Sequence, residues 1–445
     1  MTFHSESGAT MVPGNLLTTP LVALVDTDDA GTWISVNATV LDAGVAVLTG
    51  VPPGRTYLGY GTVYVDTSAS SVDFSQSALG RPNAARPSAA TPLTLNLTGL
   101  EAWGAASYVS VASLGAGAFF EPLFSSSTAI VAGATSGSDT VDWATTRQPL
   151  IDSSQGDSTF VLQMAPRALG ANFPYRTASR VGVVNTLTQV NGQAASASVA
   201  LSPVTASATL AVDFRVPEWV GTGLEVSPAV ISGQVSFAIR ALPAGLTSGT
   251  LAMAPGAVFL GAPPAQPAVS GTVQYGSPWP PGWPLVVYQL ANFRVPVTAG
   301  GLQGELSAAA MELRELGQFN GVSQPHLTPP RQVRIAGLDA TLPQTGVGRT
   351  PSVEWAPPSL GTPDRYSVVV FELVPSGTQL LPRLAGQVLT RQTSVRLPPG
   401  IVGPSGYWAL LIQAEIRGGL NPEVRPLWSA APTLIHGTVT STFTP

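Results

Sequence analysis

The chain has 445 residues, of which 44% are hydrophobic and only 10% are charged, and it contains 46 glycines and 41 prolines. This length predicts several domains, and the composition is too apolar for a disordered chain. Cysteine is absent, which excludes disulfides, thiolate zinc sites and a cysteine nucleophile, and the net charge of −5 is spread without the basic stripe of a nucleic-acid-binding protein.

All 20 basic residues are arginine, and alanine, glycine, proline and valine are abundant, which indicates a bacterial gene of high GC content. No apolar run is long enough to form a membrane-spanning helix. Low charge and Ser/Thr-rich strands are typical of extracytoplasmic β proteins. The first residues, MTFHSESGATMVPG, lack the charged start and apolar core of a signal peptide. Either the protein is cytoplasmic, or its leader lies upstream of Met1, and we favour the second interpretation.

Residues 1–20 are polar and irregular, which predicts a flexible lead-in. Alternating runs then predict strands, beginning with LVALVD, TWISVNATV and RTYLGYGTVYVD. Gly31-Thr32-Trp33, followed by LTGVPPGRTYL from Leu48 to Leu58, is similar to the D-G-x-F/W…V-P-P-G-x-Y-x-L pattern of carboxypeptidase-regulatory-like domains. The resemblance implies a small transthyretin-like sandwich over residues 21–100.

Two further β-sandwiches are predicted over residues 101–220 and 221–349, from runs such as SYVSVASL, STFVLQMA and PLVVYQLANFRV. One segment, GELSAAAMELRELG from Gly304 to Gly317, favours a short helix near residues 305–316 packed on a sheet. Its apolar residues recur at helical spacing, and Gly317 stands where a C-cap glycine belongs. A strand is the alternative, because Met311 and Leu313 also alternate.

Residues 350–445 carry the most regular strand pattern, with alternating runs interrupted by proline and glycine. This segment resembles a fibronectin type III domain at Trp355, Leu397, Pro399, Tyr407, Leu411 and Ala414. A Gly/Pro insertion between Leu397 and Tyr407 departs from that family's pattern. The resemblance implies a sandwich with Trp355 and Tyr407 buried. The predicted fold class is therefore mainly β, with antiparallel β-sandwich domains in series and at most one or two short helices.

The densest acidic cluster is Asp26-Thr27-Asp28-Asp29-Ala30-Gly31. Asp26 and Asp28 have the alternate spacing that begins a calcium loop, and Asp29 adjoins them, so these three are the candidate calcium ligands. However, Ala30 takes the third ligand position and Asn37 stands where the closing Glu belongs. A β-turn between two strands is therefore the favoured interpretation, and no cofactor is expected.

His4, His326 and His436 are isolated, and no catalytic or nucleotide-binding motif is present.

The most conspicuous loop runs from Tyr275 to Pro284, YGSPWPPGWP. Tyr275, Trp279 and Trp283 are candidate ligand-binding residues, because rigid aromatic rings among prolines can stack on a sugar or a proline-rich peptide. The alternative, which we favour, is that both tryptophans close one end of a sandwich. The sequence thus predicts a non-enzymatic structural or interaction protein of a bacterial envelope or secreted fraction, with a protein or glycan partner. A carbohydrate-binding or carbohydrate-active protein is the first alternative, and an enzyme whose site is assembled across domain interfaces is the second.

Overall fold

The structure is a computed structural model that describes residues 1–5, 8–12, 19, 21–28, 31–42, 44–121, 130–170, 173–248, 254 and 256–445. Within these ranges the chain is mainly β. Its helices are short: α1 spans Trp143–Thr146, α2 spans Val216–Gly221 and α3 spans Gly223–Val226, with 3-10 turns at Ser153–Gln155 and Leu316–Gln318. The predicted fold class is confirmed.

The strands follow in chain order. The first group is β1 (Thr2–Ser5), β2 (Gly8–Met11), β3 (Leu21–Asp26), β4 (Trp33–Asn37), β5 (Thr39–Asp42), β6 (Val45–Val47), β7 (Arg55–Tyr60), β8 (Val63–Asp66), β9 (Ser77–Leu79), β10 (Pro92–Thr98), β11 (Tyr108–Ser113) and β12 (Ala118–Phe120). The second is β13 (Ser136–Asp142), β14 (Thr159–Leu169), β15 (Phe173–Val184), β16 (Ala195–Ala200), β17 (Ser202–Pro203), β18 (Ala208–Phe214), β19 (Ile231–Ala241), β20 (Thr247–Ser248), β21 (Gly256–Ala262) and β22 (Val269–Tyr275). The third is β23 (Leu285–Ala299), β24 (Leu302–Glu315), β25 (Val322–Ser323), β26 (Arg331–Ile335), β27 (Leu338–Asp339), β28 (Ser352–Ala356), β29 (Arg365–Ser376), β30 (Gln379–Thr390), β31 (Ser394–Arg396), β32 (Tyr407–Arg417), β33 (Ser429–Ala430) and β34 (Thr433–Val439).

Seventeen of the described strands are connected by hydrogen bonds into one sheet. From β11 the pairings pass through β14, β15, β21, β19, β23 and β24, continue through β34, β32, β29 and β30, and end with β8, β7, β3 and β4. The only parallel step along this path is β30 with β8. Strand β4 is therefore the last strand at one end of the sheet.

Smaller sheets pack against this one and enclose separate apolar cores. The sheet β13-β10-β16 covers a core between residues 93 and 201 that includes the buried Trp143. The sheet β22-β18-β25 covers a core around Phe214, Trp219 and Phe237. The sheet β27-β26-β28-β31 covers a third core, which contains the buried Trp355 and Trp408. Successive side chains of a strand point to opposite faces of its sheet. A strand with alternating apolar residues can therefore bury one face in a core and expose the other.

The segment Gly304–Gly317 is not a helix, and the prediction of a helix near residues 305–316 is wrong. It forms most of strand β24, which pairs residue by residue with β23 from Val286↔Glu315 to Ala299↔Leu302. Gly300 and Gly301 connect the two strands with φ of 58° and 78°, the positive values that a tight type I′ hairpin turn requires. Long-range pairing overrides the helix propensity of the alanines and glutamates.

The C-terminal segment contains the predicted strands, and Trp355 is buried, as predicted, with its ring 5.2 Å from that of Tyr366. Tyr407 is half-buried and packs against the core around Phe214 instead. The segment is also paired to other parts of the chain, through β34 with β24 and β30 with β8. The predicted domain boundaries and the two family resemblances stay predictions.

The predicted flexible lead-in contains two strands in its described part, β1 and β2. Strand β1 pairs with β2 and, in parallel, with β9 from Thr2↔Ser77 to His4↔Leu79. These backbone hydrogen bonds order the segment although its side chains contribute little apolar burial.

Candidate interaction surface

The two tryptophans of the proline-rich loop lie together. Their rings are stacked, with centroids 5.7 Å apart and planes 16° apart, and both contact the ring of Phe160. Trp279 is buried, and its Nε1 has no hydrogen-bond partner among the described residues, whereas Trp283 is half-buried. The pair therefore caps a small core on strand β14, and only Trp283 shows part of a ring to solvent.

Tyr275 does not join this pair. It is buried at the end of β22, in the core that contains Phe214 and Val273. Burial raises the pKa of the Tyr275 hydroxyl. The structure thus separates Tyr275 from Trp279 and Trp283, and the ligand-binding role of the three residues stays a prediction.

The acidic cluster is engaged in structural contacts. Asp26 is buried at the end of β3, and its Oδ2 lies 3.2 Å from Nε of Arg396. Asp28 accepts hydrogen bonds from the backbone N–H and the hydroxyl of Thr32, at 3.1 and 2.6 Å, as a turn-forming carboxylate does. Asp29 lies outside the described residues. No group of three or more potential metal ligands occurs within the described ranges.

Two of the three histidines contact the large sheet: His436 is buried in β34, and His326 is half-buried in the segment between β25 and β26. His436 of β34 is fully buried and stacks on Phe293, with ring centroids 5.8 Å apart. His326 contacts Glu312 of β24 through Nδ1 at 3.0 Å, and Arg314 lies on the same carboxylate at 3.2 Å. Glu312 therefore forms an ion pair with Arg314, and its contact with His326 fixes the chain segment before β26 to the sheet.

Among the described residues, β4 is an edge strand whose outward backbone groups pair with no strand, a feature that the sequence did not predict. Hydrogen bonds join Thr27 N to Thr32 O and Ala38 N to Leu21 O, at 3.1 and 3.2 Å. In the antiparallel β3–β4 register, Ile34 and Val36 therefore direct their N–H and C=O groups toward β3. The same groups of Trp33, Ser35 and Asn37 point away from β3, and no described strand pairs with them.

The hairpin β5–β6 follows β4 directly and pairs with no other described strand. Its register is Thr39↔Val47, Val40↔Ala46 and Asp42↔Val45, with a bulge at Leu41. Leu41, Val45 and Val47 are 65%, 49% and 40% exposed. A two-stranded hairpin that exposes three aliphatic side chains is marginally stable alone in water, so contact with another molecule would stabilise it.

Exposed aliphatic side chains are concentrated in this region. Of the 17 large hydrophobic residues that are exposed in the described part of the chain, five lie between residues 34 and 51: Ile34, Leu41, Val45, Val47 and Val51. We call β4, β5 and β6 the β4–β6 surface. Alternation of apolar residues in TWISVNATV was visible in the sequence, but which strand ends a sheet depends on long-range pairing.

Comparisons with known proteins give no family. No family model matches the sequence, and no curated protein matches it. Among solved structures, a crystal structure of a "putative cell adhesion protein" from Bacteroides eggerthii is 11% identical, with 82% of this chain and 99% of that chain covered and a TM-score of 0.17. A TM-score this low assigns neither a fold family nor a role to this chain. Within the described residues, no helix has the length and apolarity needed to cross a membrane.

Proposed function

We propose that this protein is a non-enzymatic interaction protein of a bacterial envelope or secreted fraction, and that it binds its partner through the β4–β6 surface. The observation that carries this proposal is the combination of an open strand edge at Trp33, Ser35 and Asn37 with exposed Leu41, Val45 and Val47 beside it. An open edge supplies backbone hydrogen bonds to an added strand, and the adjacent apolar side chains supply buried area.

The low charge of the whole chain, 10% of residues, supports an extracytoplasmic location in this proposal. Most of the aliphatic side chains elsewhere are buried in the packed cores. The β4–β6 surface, in contrast, exposes Ile34, Leu41, Val45 and Val47 within 14 residues of the sequence, a concentration that supports an interface here.

A photoreactive amino acid at Val45, incorporated in the organism that makes the protein, tests this proposal. We expect illumination to give one discrete covalent adduct. Leu224 of α3 is 74% exposed and lies outside the β4–β6 surface, so the same substitution there is the control and should give none. The absence of an adduct at Val45, or identical adducts at both positions, would contradict the proposal.

A carbohydrate-binding role is the second candidate, and the half-buried Trp283 stacked on Trp279 is the observation that favours it. An aromatic ring held rigid by a second ring provides a flat surface for a sugar. The packing of both rings on Phe160 gives the pair a structural role as well.

A further inference from the structure

We propose that the partner at the β4–β6 surface is a second copy of this chain, joined by antiparallel pairing of β4 with β4 about a twofold axis at Ser35. This inference rests on the proposed function and names its partner. The two sheets would then continue into each other across the axis.

The backbone of β4 has the pattern that such pairing requires. Its outward N–H and C=O groups belong to Trp33, Ser35 and Asn37, which alternate with the residues bonded to β3. Antiparallel pairing centred on Ser35 sets Ser35 opposite Ser35 of the second copy and Trp33 opposite its Asn37. Every hydrogen-bonded position then meets another hydrogen-bonded position.

The side chains are compatible with this register. Ile34 and Val36 share one face of β4, and the pairing sets Ile34 opposite Val36 of the second copy on that face. Ile34 is 43% exposed in the single chain, so the pairing would remove apolar surface from water. Two β-branched side chains opposite each other are a favourable cross-strand pair.

Charge favours an identical partner. From Gly31 to Gly54 the sequence contains one charged residue, Asp42. Two copies of a nearly uncharged surface meet without like-charge repulsion, whereas a partner recognised by charge would need a charged surface here. Natural edge strands are usually protected from such pairing by a charged residue, a proline or a bulge, and β4 contains none of these.

Sedimentation velocity of the purified full chain over a concentration series tests the proposal. We expect a concentration-dependent dimer for the wild type. Ser35→Pro removes one outward N–H without removing a hydrogen bond to β3, because proline is tolerated on the open side of an edge strand. The variant should be monomeric at concentrations where the wild type is dimeric. Ser35→Ala keeps the N–H and is the matched control, which should dimerise like the wild type.

Ser35→Asp is a second variant, for the case that Ser35→Pro does not fold by circular dichroism. Ser35 is exposed in the single chain, and in the proposed register the substitution places two like charges directly opposite each other at the axis, so it should weaken the dimer at least tenfold in its dissociation constant. A wild type that stays monomeric, or folded Ser35→Pro and Ser35→Asp that dimerise as strongly as the wild type, would overturn the proposal. If the wild type is monomeric but Val45 still cross-links to a different protein in cells, self-pairing fails and the proposed function stands.

Discussion

His436 is fully buried, and the folded state favours its neutral imidazole. It stacks on Phe293, and its strand neighbours across the sheet are Ala310 and Ala414. Burial removes the imidazolium from water and lowers the pKa of His436 to about 3. Neither ring nitrogen of His436 has a hydrogen-bond partner among the described residues, so nothing there compensates for the lost hydration of a protonated ring.

This low pKa predicts a loss of stability in acid. The unfolded chain has an ordinary histidine pKa of about 6.5, so between that pH and about 3 the unfolded state binds more protons than the folded state. The free energy of unfolding therefore falls as the pH is lowered below about 6.5, by up to about 1.4 kcal/mol per pH unit. Above pH 6.5 the residue has no such effect.

His436→Phe should reduce this pH dependence, because phenylalanine fills the same space and does not titrate. Urea unfolding at pH 7 and pH 5 measures it. We expect the difference in unfolding free energy between these pH values to be smaller in the variant by about 2 kcal/mol. His4 and His326 remain in both proteins, so their contributions cancel in the comparison. Equal pH dependence in both would show that His436 is not buried neutral.

The burial of His436 could partly have been predicted from the sequence. Leu434 and His436 are two residues apart in a strand, so alternation places them on one face, and Leu434 indicates that this face is apolar. The ring of Phe293 beneath it comes from a strand more than 100 residues earlier, and no local pattern reports that contact.

Among the elements, the Trp279–Trp283 loop is one whose stiffness the local sequence predicts. Four prolines and two tryptophans predicted a stiff aromatic loop, and the rings do stack. The position of Phe160 beneath them could not be predicted, because it depends on how the loop is placed over β14. Strand β24 could not be predicted for the same reason. Ala308 and Ala310 favour a helix locally, but in the structure both are buried in the core around Phe214.

Single alanine variants separate the structural role of this loop from sugar binding. Trp279→Ala should destabilise the protein by about 3–5 kcal/mol, since it removes a buried ring from a packed site. Trp283→Ala should cost less, because its ring is already partly in water. A glycan array probed with the wild type should show no binding that Trp283→Ala removes. Specific binding lost in a folded Trp283→Ala would support the carbohydrate-binding role instead.

At the scale of the whole molecule, the N-terminal strands are held against the C-terminal strands by polar contacts. Arg55 donates to Oδ2 of Asp66 at 2.6 Å and to the carbonyl of Ser394 at 2.6 Å, and Thr390 donates to the same carboxylate. Strand β8 adds three parallel pairs to β30 nearby. These contacts fix β3 and β4 at the end of the large sheet, so the open edge has a defined orientation.

The order of strands in the large sheet is the part of the fold that the sequence did not predict. Alternation identifies strands, but neighbours such as β8 and β30 are more than 300 residues apart in the chain. The edge position of β4 follows from this order. The β4–β6 surface can therefore be identified only from the strand order of the whole sheet, although its apolar residues are close together in the sequence.

Residue-resolved hydrogen exchange across β4 shows whether its outward edge is an interface. In dilute protein, the amides of Ile34 and Val36 should exchange slowly, because they bond to β3, and those of Trp33, Ser35 and Asn37 should exchange fast. At concentrations where the chain self-associates, we expect the three outward amides to become protected too. Outward amides that exchange fast at every concentration, or are already protected in the dilute monomer, would contradict it.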